Sequence, residues 1–215
     1  MKRFFITGTD TDCGKTYVTC QILDYLNERT IKAKAIKPVA SGAYESNGKL
    51  INEDVVHLQK HNGDGNLNIN GWMFRPPISP HLAAKQEGVE LNVKAIADFC
   101  NQAYQGLDCL LIEGAGGLMV PLNDEDSWLD FLNLSGIPAI VVVGMRVGCI
   151  NHALLTAMTL KQAAIPCSGW IANCLNPGMP SLEESIETLK TKMSMPFLGR
   201  VDHKGHFKGF FPGCS

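Results

Sequence analysis

Gly8-Thr9-Asp10-Thr11-Asp12-Cys13-Gly14-Lys15-Thr16 follows directly on the apolar run Phe4-Phe5-Ile6-Thr7 and opens a helical pattern. A Gly-rich turn between a first strand and a first helix aims backbone N–H groups at one point. The helix N-terminus adds partial positive charge there, so phosphate oxygens suit the turn. In that geometry Lys15 reaches the β- and γ-phosphates of a nucleoside triphosphate, and the Thr16 hydroxyl is a ligand for Mg²⁺. The common phosphate loop reads G-x-x-x-x-G-K-[ST]. Here five residues separate Gly8 from Gly14, one more than that pattern, and Thr9 stands in the place of the first glycine.

Outward from this loop, apolar runs alternate with helical patterns. The sequence predicts strands at Arg3–Thr7, Ala33–Lys37, Cys109–Glu113, Ala139–Gly144, Ser168–Asn173 and Phe197–Val201. It predicts helices at Lys15–Arg29, Glu53–His61, Val93–Tyr104, Asn151–Ala164 and Leu182–Met193. Continuously hydrophobic runs such as Ile140-Val141-Val142-Val143 are expected of strands covered by helices on both faces. Asn92 and Ser181 stand at N-cap positions, and Ser181 with Glu184 has capping-box spacing. The stretch from Gly63 to Pro80, broken at Arg75-Pro76-Pro77, is the main irregular region. This order predicts an α/β fold: a doubly wound, mostly parallel sheet of the P-loop NTPase kind, in one domain spanning residues 1–215.

Ligands of such folds gather outside the carboxyl ends of the strands. Those ends carry Lys37-Pro38-Val39-Ala40-Ser41-Gly42, Glu113-Gly114-Ala115-Gly116-Gly117, the segment from Gly144 to Asn151, and Asn173. Mg²⁺ takes hard oxygen ligands, and one or two carboxylates plus phosphates suffice. Glu113, ending the buried run Leu110-Leu111-Ile112, stands where a Walker-B-type acid belongs. Asp54, at a helix start, is a second candidate ligand, with a helix-dipole role as the alternative. Lys37 closes a strand. There it is either a compact cation for developing negative charge or a snorkelling surface lysine.

Composition narrows the rest. The chain has 215 residues, 19 Lys+Arg against 21 Asp+Glu, and 45% hydrophobic residues, which suits one globular core. A near-neutral balance with no basic block argues against a nucleic-acid binder. No apolar run reaches the roughly 18–20 residues of a membrane helix, and no signal peptide is evident, so a cytoplasmic protein is expected. The eight cysteines form no C-x-x-C pair and sit mostly in apolar segments, which reads as reduced thiols. His57 and His61 lie four apart without a third ligand nearby, which reads as a solvated helix face.

Taken together, five segments resemble the dethiobiotin synthetases. They are Gly8 to Thr16, Lys37 to Gly42, Glu113 to Gly117, Val143 to His152 and Gly169-Trp170-Ile171-Ala172-Asn173, in family order over roughly residues 1 to 200. The extra loop residue is the family's own form. The resemblance implies an ATP-dependent, Mg²⁺-requiring ligase. 7,8-Diaminopelargonic acid takes up CO₂ as a carbamate, the carbamate is phosphorylated, and the second amine closes the ureido ring. It implies Lys37, Lys15 and Thr11 as catalytic residues, with Thr16, Asp54 and Glu113 holding the metal. Nucleotide contacts fall to Asp12, Cys13, Gly14, Lys15, Thr16, Tyr17, Asp54, Glu113, Gly114, Ala115, Gly116 and Asn173. Ser41 approaches the diamine, and Gly148-Cys149-Ile150-Asn151 receives its distant carboxylate from the neighbouring subunit of a homodimer.

Two departures stand out. Asp12-Cys13 replaces the Glu-Val frequent in the family. The family's C-terminal helix, which follows a base-holding loop, has no counterpart in the Gly-rich tail from Arg200 to Gly213, so relaxed choice of nucleotide base is expected. Three rival readings meet the same residues. A partner-positioning P-loop ATPase switch would carry a second lysine early in the loop. A cobyric-acid-type amide ligase would need a glutaminase domain. An interaction protein would not need cations and carboxylates at several strand ends.

Overall fold

A computed structural model describes residues 1–63, 68–104 and 106–213. In chain order the elements are β1 (Lys2–Gly8), α1 (Lys15–Asn27), β2 (Ala33–Ile36), β3 (Val39–Ala40), β4 (Tyr44–Ser46), β5 (Lys49–Ile51), α2 (Glu53–Asn62), β6 (Trp72–Met73), α3 (Pro80–Gln86), α4 (Val93–Gln102), β7 (Cys109–Gly117), α5 (Trp128–Ser135), β8 (Ala139–Gly144), α6 (Cys149–Gln162), β9 (Cys167–Asn173), α7 (Leu182–Lys192), β10 (Phe197–Val201) and β11 (Phe207–Gly209). Seven strands form one sheet in the order β11-β10-β9-β8-β1-β7-β2. Every pairing in it is parallel except that of β10 with β11. The expected doubly wound architecture is the observed one.

The topology sets the working end. From β1 the chain moves to one side through β2 and β7, then to the other through β8, β9 and β10. Connections therefore leave β1 and β8 in opposite directions, and a crevice opens beyond their carboxyl ends. All six residues of β8 are buried, as a strand covered on both faces must be. Phe5 of β1 packs against Trp128 and Phe131 of α5 at 5.2 and 5.3 Å between ring centroids. The Trp128 indole N–H donates to the Ala115 carbonyl at 2.9 Å, so this aromatic cluster also anchors the strand just past Glu113.

Several local expectations are corrected. Glu113 does not end its strand: β7 continues to Gly117, and its register against β1 shifts between Ile6 and Gly8. Ser181 makes no side-chain cap, because its φ of 52° is left-handed, whereas a capping side chain needs extended backbone. The capping box belongs to Ser127 and Asp130 at the start of α5. Asn92 does cap α4, accepting from Ala95 N at 3.0 Å. Helix α6 starts at Cys149, two residues before the predicted Asn151.

Helices α3 and α5 and strands β3, β4, β5, β6 and β11 are not expected from the sequence, being too short to show a period. Within the irregular 63–80 stretch, Ile69 and Phe74 join the core, while 64–67 lie outside the described residues. Among the described residues no cysteine is disulfide-bonded and no helix is long and apolar enough to cross a membrane; Cys214 lies outside them.

Candidate functional site

Left-handed backbone at Asp12 (φ 56°) and Gly14 (φ 81°) curls the first loop, and Gly14 is the N-cap of α1 with no side-chain cap. The first N–H groups of α1 thus keep no side-chain acceptor, which makes an anion seat. Close packing holds the curl. A Cβ on Gly14 would lie 2.0 Å from Asn173 Nδ2, and that same amide donates to Cys13 O at 2.9 Å. Cys13 is 1% exposed and fills the loop from beneath: a Cβ on Gly8 would reach 2.3 Å from its Sγ. Lys15 lies folded over the loop, its Nζ donating to Asp10 O at 3.2 Å. Arg146, beyond β8, pairs with the Asp10 carboxylate.

Beside this seat stands a buried charge cluster. Lys37 Nζ lies 2.7 Å from Glu113 Oε1 and 2.8 Å from Asp54 Oδ2. Thr16 Oγ1 donates to the same Glu113 oxygen at 2.6 Å. Lys37 is 4% exposed and Glu113 fully buried, so the snorkelling alternative for Lys37 fails. Burial pushes the Lys37 ammonium down, but Glu113 and Asp54 outweigh it and hold its pKa above the usual lysine range. Burial likewise pushes the Asp54 carboxyl up, and the charge and hydrogen bond of Lys37, with one from Thr16, bring it below the ordinary value. Both groups are therefore charged at neutral pH.

This donor set fits a divalent cation. A hydroxyl and two carboxylates, from Thr16, Asp54 and Glu113, meet within hydrogen-bonding distance of one another or of Lys37. Glu113 Oε2 is buried with no hydrogen-bond partner, a hard acceptor of the kind Mg²⁺ takes.

The seat and the cluster open into a cavity of about 940 Å³. Of the predicted residues, Thr11, Asp12, Gly14, Lys15, Thr16, Tyr17, Lys37, Ser41, Asp54, Ala115 and Gly116 line it. Cys13, Glu113, Gly114 and Asn173 stand behind its wall as supports; a Cβ on Gly114 would meet Phe5 at 2.6 Å. Gly148, Cys149, Ile150 and Asn151 do not line the cavity of their own chain. They form the start of α6, where Gly148 (φ 93°) offers no side-chain cap.

Sequence reasoning missed an apolar wall of Pro77, Ile78, Pro80 and Val120, for which the Pro76-Pro77 break was the available signal. It also missed Cys20, Gln21 and Glu53 in the lining, as well as the histidines: His57 and His61 both line the cavity, and His61 Nδ1 pairs with Asp24 at 2.8 Å. Burial pushes the Cys20 thiol up to about 12, so it is no nucleophile. The tail forms the β10–β11 hairpin. Its turn docks on α1 through Tyr17 Oη donating to Gly205 O at 2.8 Å, and His203 Nδ1 lies 2.8 Å from Leu175 O.

A family model described as an AAA domain matches residues 2–208. The ATP-dependent dethiobiotin synthetase BioD of Legionella pneumophila (strain Paris) is 50% identical over 206 residues, which cover 95% of each chain. Its namesake from Pseudoalteromonas translucida (strain TAC 125) is 40% identical over 202 residues, 92% of this chain and 88% of that one. Among solved structures, the septum site-determining protein MinD of Pyrococcus horikoshii OT3, complexed with Mg-ADP, has a TM-score of 0.57 at 19% identity, covering 94% of this chain and 81% of that one. The cell division protein FtsY of Thermotoga maritima has a TM-score of 0.58 at 13% identity, covering 99% and 66%. These two likenesses show the fold alone.

Proposed function

The chain belongs to the family of ATP-dependent dethiobiotin synthetases, and on that premise we propose how its own residues carry the reaction. It forms dethiobiotin at the expense of ATP, a ligase step of biotin biosynthesis. One amine of 7,8-diaminopelargonic acid adds to CO₂ and loses a proton to give a carbamate. A carbamate oxygen attacks the γ-phosphorus and ADP leaves, forming a carbamic-phosphoric anhydride. The second amine then attacks the carbonyl carbon, phosphate leaves, and the ureido ring closes.

The observation that carries the proposal is the Lys37 ammonium, buried against Glu113 and Asp54 beside the phosphate seat. A carbamate is a weak, anionic nucleophile approaching a polyanion, so fixed cations must screen the encounter. Lys37 meets the carbamate, and Lys15 neutralises the phosphoryl group in flight. Thr16, Asp54 and Glu113 would hold Mg²⁺, which when bound screens the terminal phosphates. Asp12, Gly14 to Tyr17, Ala115 and Gly116 form the nucleotide's seat, with Cys13, Gly114 and Asn173 bracing it from behind. Thr11 and Ser41 offer hydroxyls to the diamine and its carbamate. The apolar wall at Ile78 suits the alkyl chain.

The distant carboxylate is received by the amides at Gly148-Cys149-Ile150-Asn151 of a second copy. Supporting this homodimer, exposed Val147, Leu155 and Met158 (84%, 50% and 48%) flank that segment on and beside α6. A cytoplasmic setting fits the thiols, six of which are buried among the seven described.

The central test is phosphate release from ATP, Mg²⁺ and bicarbonate. Release should require the diamine; release without it points to an ATPase switch instead. Lys37→Ala should still bind nucleotide while turnover falls by about 10³-fold, the scale of one preorganised charge in a dry site.

A further inference from the structure

We infer that Asn52 is a positioning residue for this reaction: its side-chain amide ties the loop presenting Ser41 to the helix presenting Asp54, and so sets the diamine's seat against the metal's. The inference rests on Ser41 meeting the diamine, as proposed above. Asn52 is 6% exposed and is the N-cap of α2, with extended backbone (φ −123°, ψ 131°). Its Oδ1 accepts from Val55 N at 3.2 Å, which completes the cap. Its Nδ2 donates to Ser41 O at 2.9 Å.

A helix cap needs only the oxygen, and aspartate or serine serves about as well as asparagine. The second bond needs a donor at the far end of the side chain: a carboxylate has none, and a serine hydroxyl, one bond shorter, does not reach Ser41 O from the cap position. The asparagine amide does both.

The surroundings show what the second bond decides. The Ser41 loop is fastened on its other side by backbone bonds: Phe74 N to Ala40 O at 2.9 Å, Gly42 N to Pro76 O at 3.0 Å and Ala43 N to Phe74 O at 2.9 Å. These fix the loop to the 74–76 segment and leave its spacing from α2 to Asn52. Asp54 follows Asn52 by two residues within the first helical turn, and Lys37 precedes Ser41 by four. The Lys37–Asp54 contact and the Asn52–Ser41 bond therefore close one small ring between loop and helix. Slack in the second lets Ser41 drift from the charge cluster without unfolding either element.

Asn52→Asp keeps a capping oxygen and removes the donor; Asn52→Ser keeps one and withdraws its donor from the reach of Ser41 O. Steady-state kinetics with each substrate varied, and thermal melts, are compared with Ser41→Ala. Both Asn52 variants should raise the KM for the diamine about tenfold, the scale of one hydrogen bond. The KM for ATP should stay within about twofold, with both variants melting as cooperatively as the wild type. A uniform loss of kcat with both KM values unchanged would reduce Asn52 to a structural cap and overturn the inference. An unchanged diamine KM in the Asn52 variants, with Ser41→Ala raising it, overturns the clamp and leaves the Ser41 assignment standing. An unchanged diamine KM in Ser41→Ala breaks that assignment instead, and the inference falls with it. Should Asn52→Ser not fold, Asn52→Asp decides, since its charge favours the helix N-terminus.

Discussion

The Gly8–Thr16 loop and the loop carrying Ser41 lie side by side yet are built by different means. From Gly8 to Thr16 the chain is one contiguous turn held by close packing: Gly14 against Asn173, Gly8 against Cys13. The region from Ala35 to Ala43 is tied to residues 69–76 by backbone bonds and is fastened further by asparagine side chains from later in the chain. Asn62 brackets Ala35 on the outer edge of β2, donating to its carbonyl and accepting from its N–H, both at 2.8 Å. Asn70 donates to Lys37 O at 2.7 Å, and Asn52 to Ser41 O at 2.9 Å. Strand β2 is the sheet's edge, so Asn62 does for Ala35 what a neighbouring strand would otherwise do. A tightly packed turn fails through lost space; a segment tied by side-chain bonds fails through lost partners.

That difference is breakable by experiment. Gly14→Ala has the largest expected effect on the seat, because a Cβ there meets Asn173 Nδ2 and forces a left-handed residue. Nucleotide Kd measured by calorimetry should rise about 100-fold, about 2.7 kcal/mol, with diamine binding little changed. A rise of less than about threefold would mean the seat is not spatially constrained. Asn62→Ala should do the reverse: nucleotide affinity holds, while the buried N–H and carbonyl of Ala35 lose their partner. Unfolding free energy should fall by about 2 kcal/mol in a urea titration, and an unchanged midpoint would deny that the edge needs its asparagine.

The smallest effect belongs to the hairpin docked on α1. The Lys208 hydrogen bond, with the charges of Lys208 and the nearby Arg200, holds the Asp202 carboxyl below the usual aspartate range against the opposing effect of burial. A lowered folded pKa contributes stability above the unfolded pKa, and that contribution is lost as pH falls through the folded value. Asp202→Asn should cost about 0.5 kcal/mol at pH 7, as surface pairs do. The gap between variant and wild type should shrink as pH falls below the ordinary aspartate value of about 3.9 and vanish once the folded carboxyl is protonated; a gap that persists then would place the effect outside the ion pairs.

How much was legible in the sequence follows the same division. Lys15, Thr16 and the loop between the glycines declared themselves because strand, turn and helix start are consecutive residues under one local geometry. The buried run into Glu113 declared an acid at the right end of the sheet but not that the strand continues to Gly117, since glycines read as a break until β1 pairs with them. Ser181-x-x-Glu184 and Ser127-x-x-Asp130 carry comparable cap patterns, and only the second has the extended backbone that lets the side chain reach back. The apolar wall at Pro77 to Pro80 reads as a loop because its burial depends on what folds over it.

By itself, then, the order of residues determined the alternation of strands and helices, the phosphate seat and the kinds of group beside it. Periodicity and glycine placement act over a few neighbours and need no distant partner. The tertiary structure alone decided that Lys37 is buried between Asp54 and Glu113, that Asn173 braces the loop at Cys13, and that Asn52 reaches Ser41. Lys37 and Glu113 are 76 residues apart, and Cys13 and Asn173 are 160 apart. Contacts at such separations exist only once the sheet has ordered its strands.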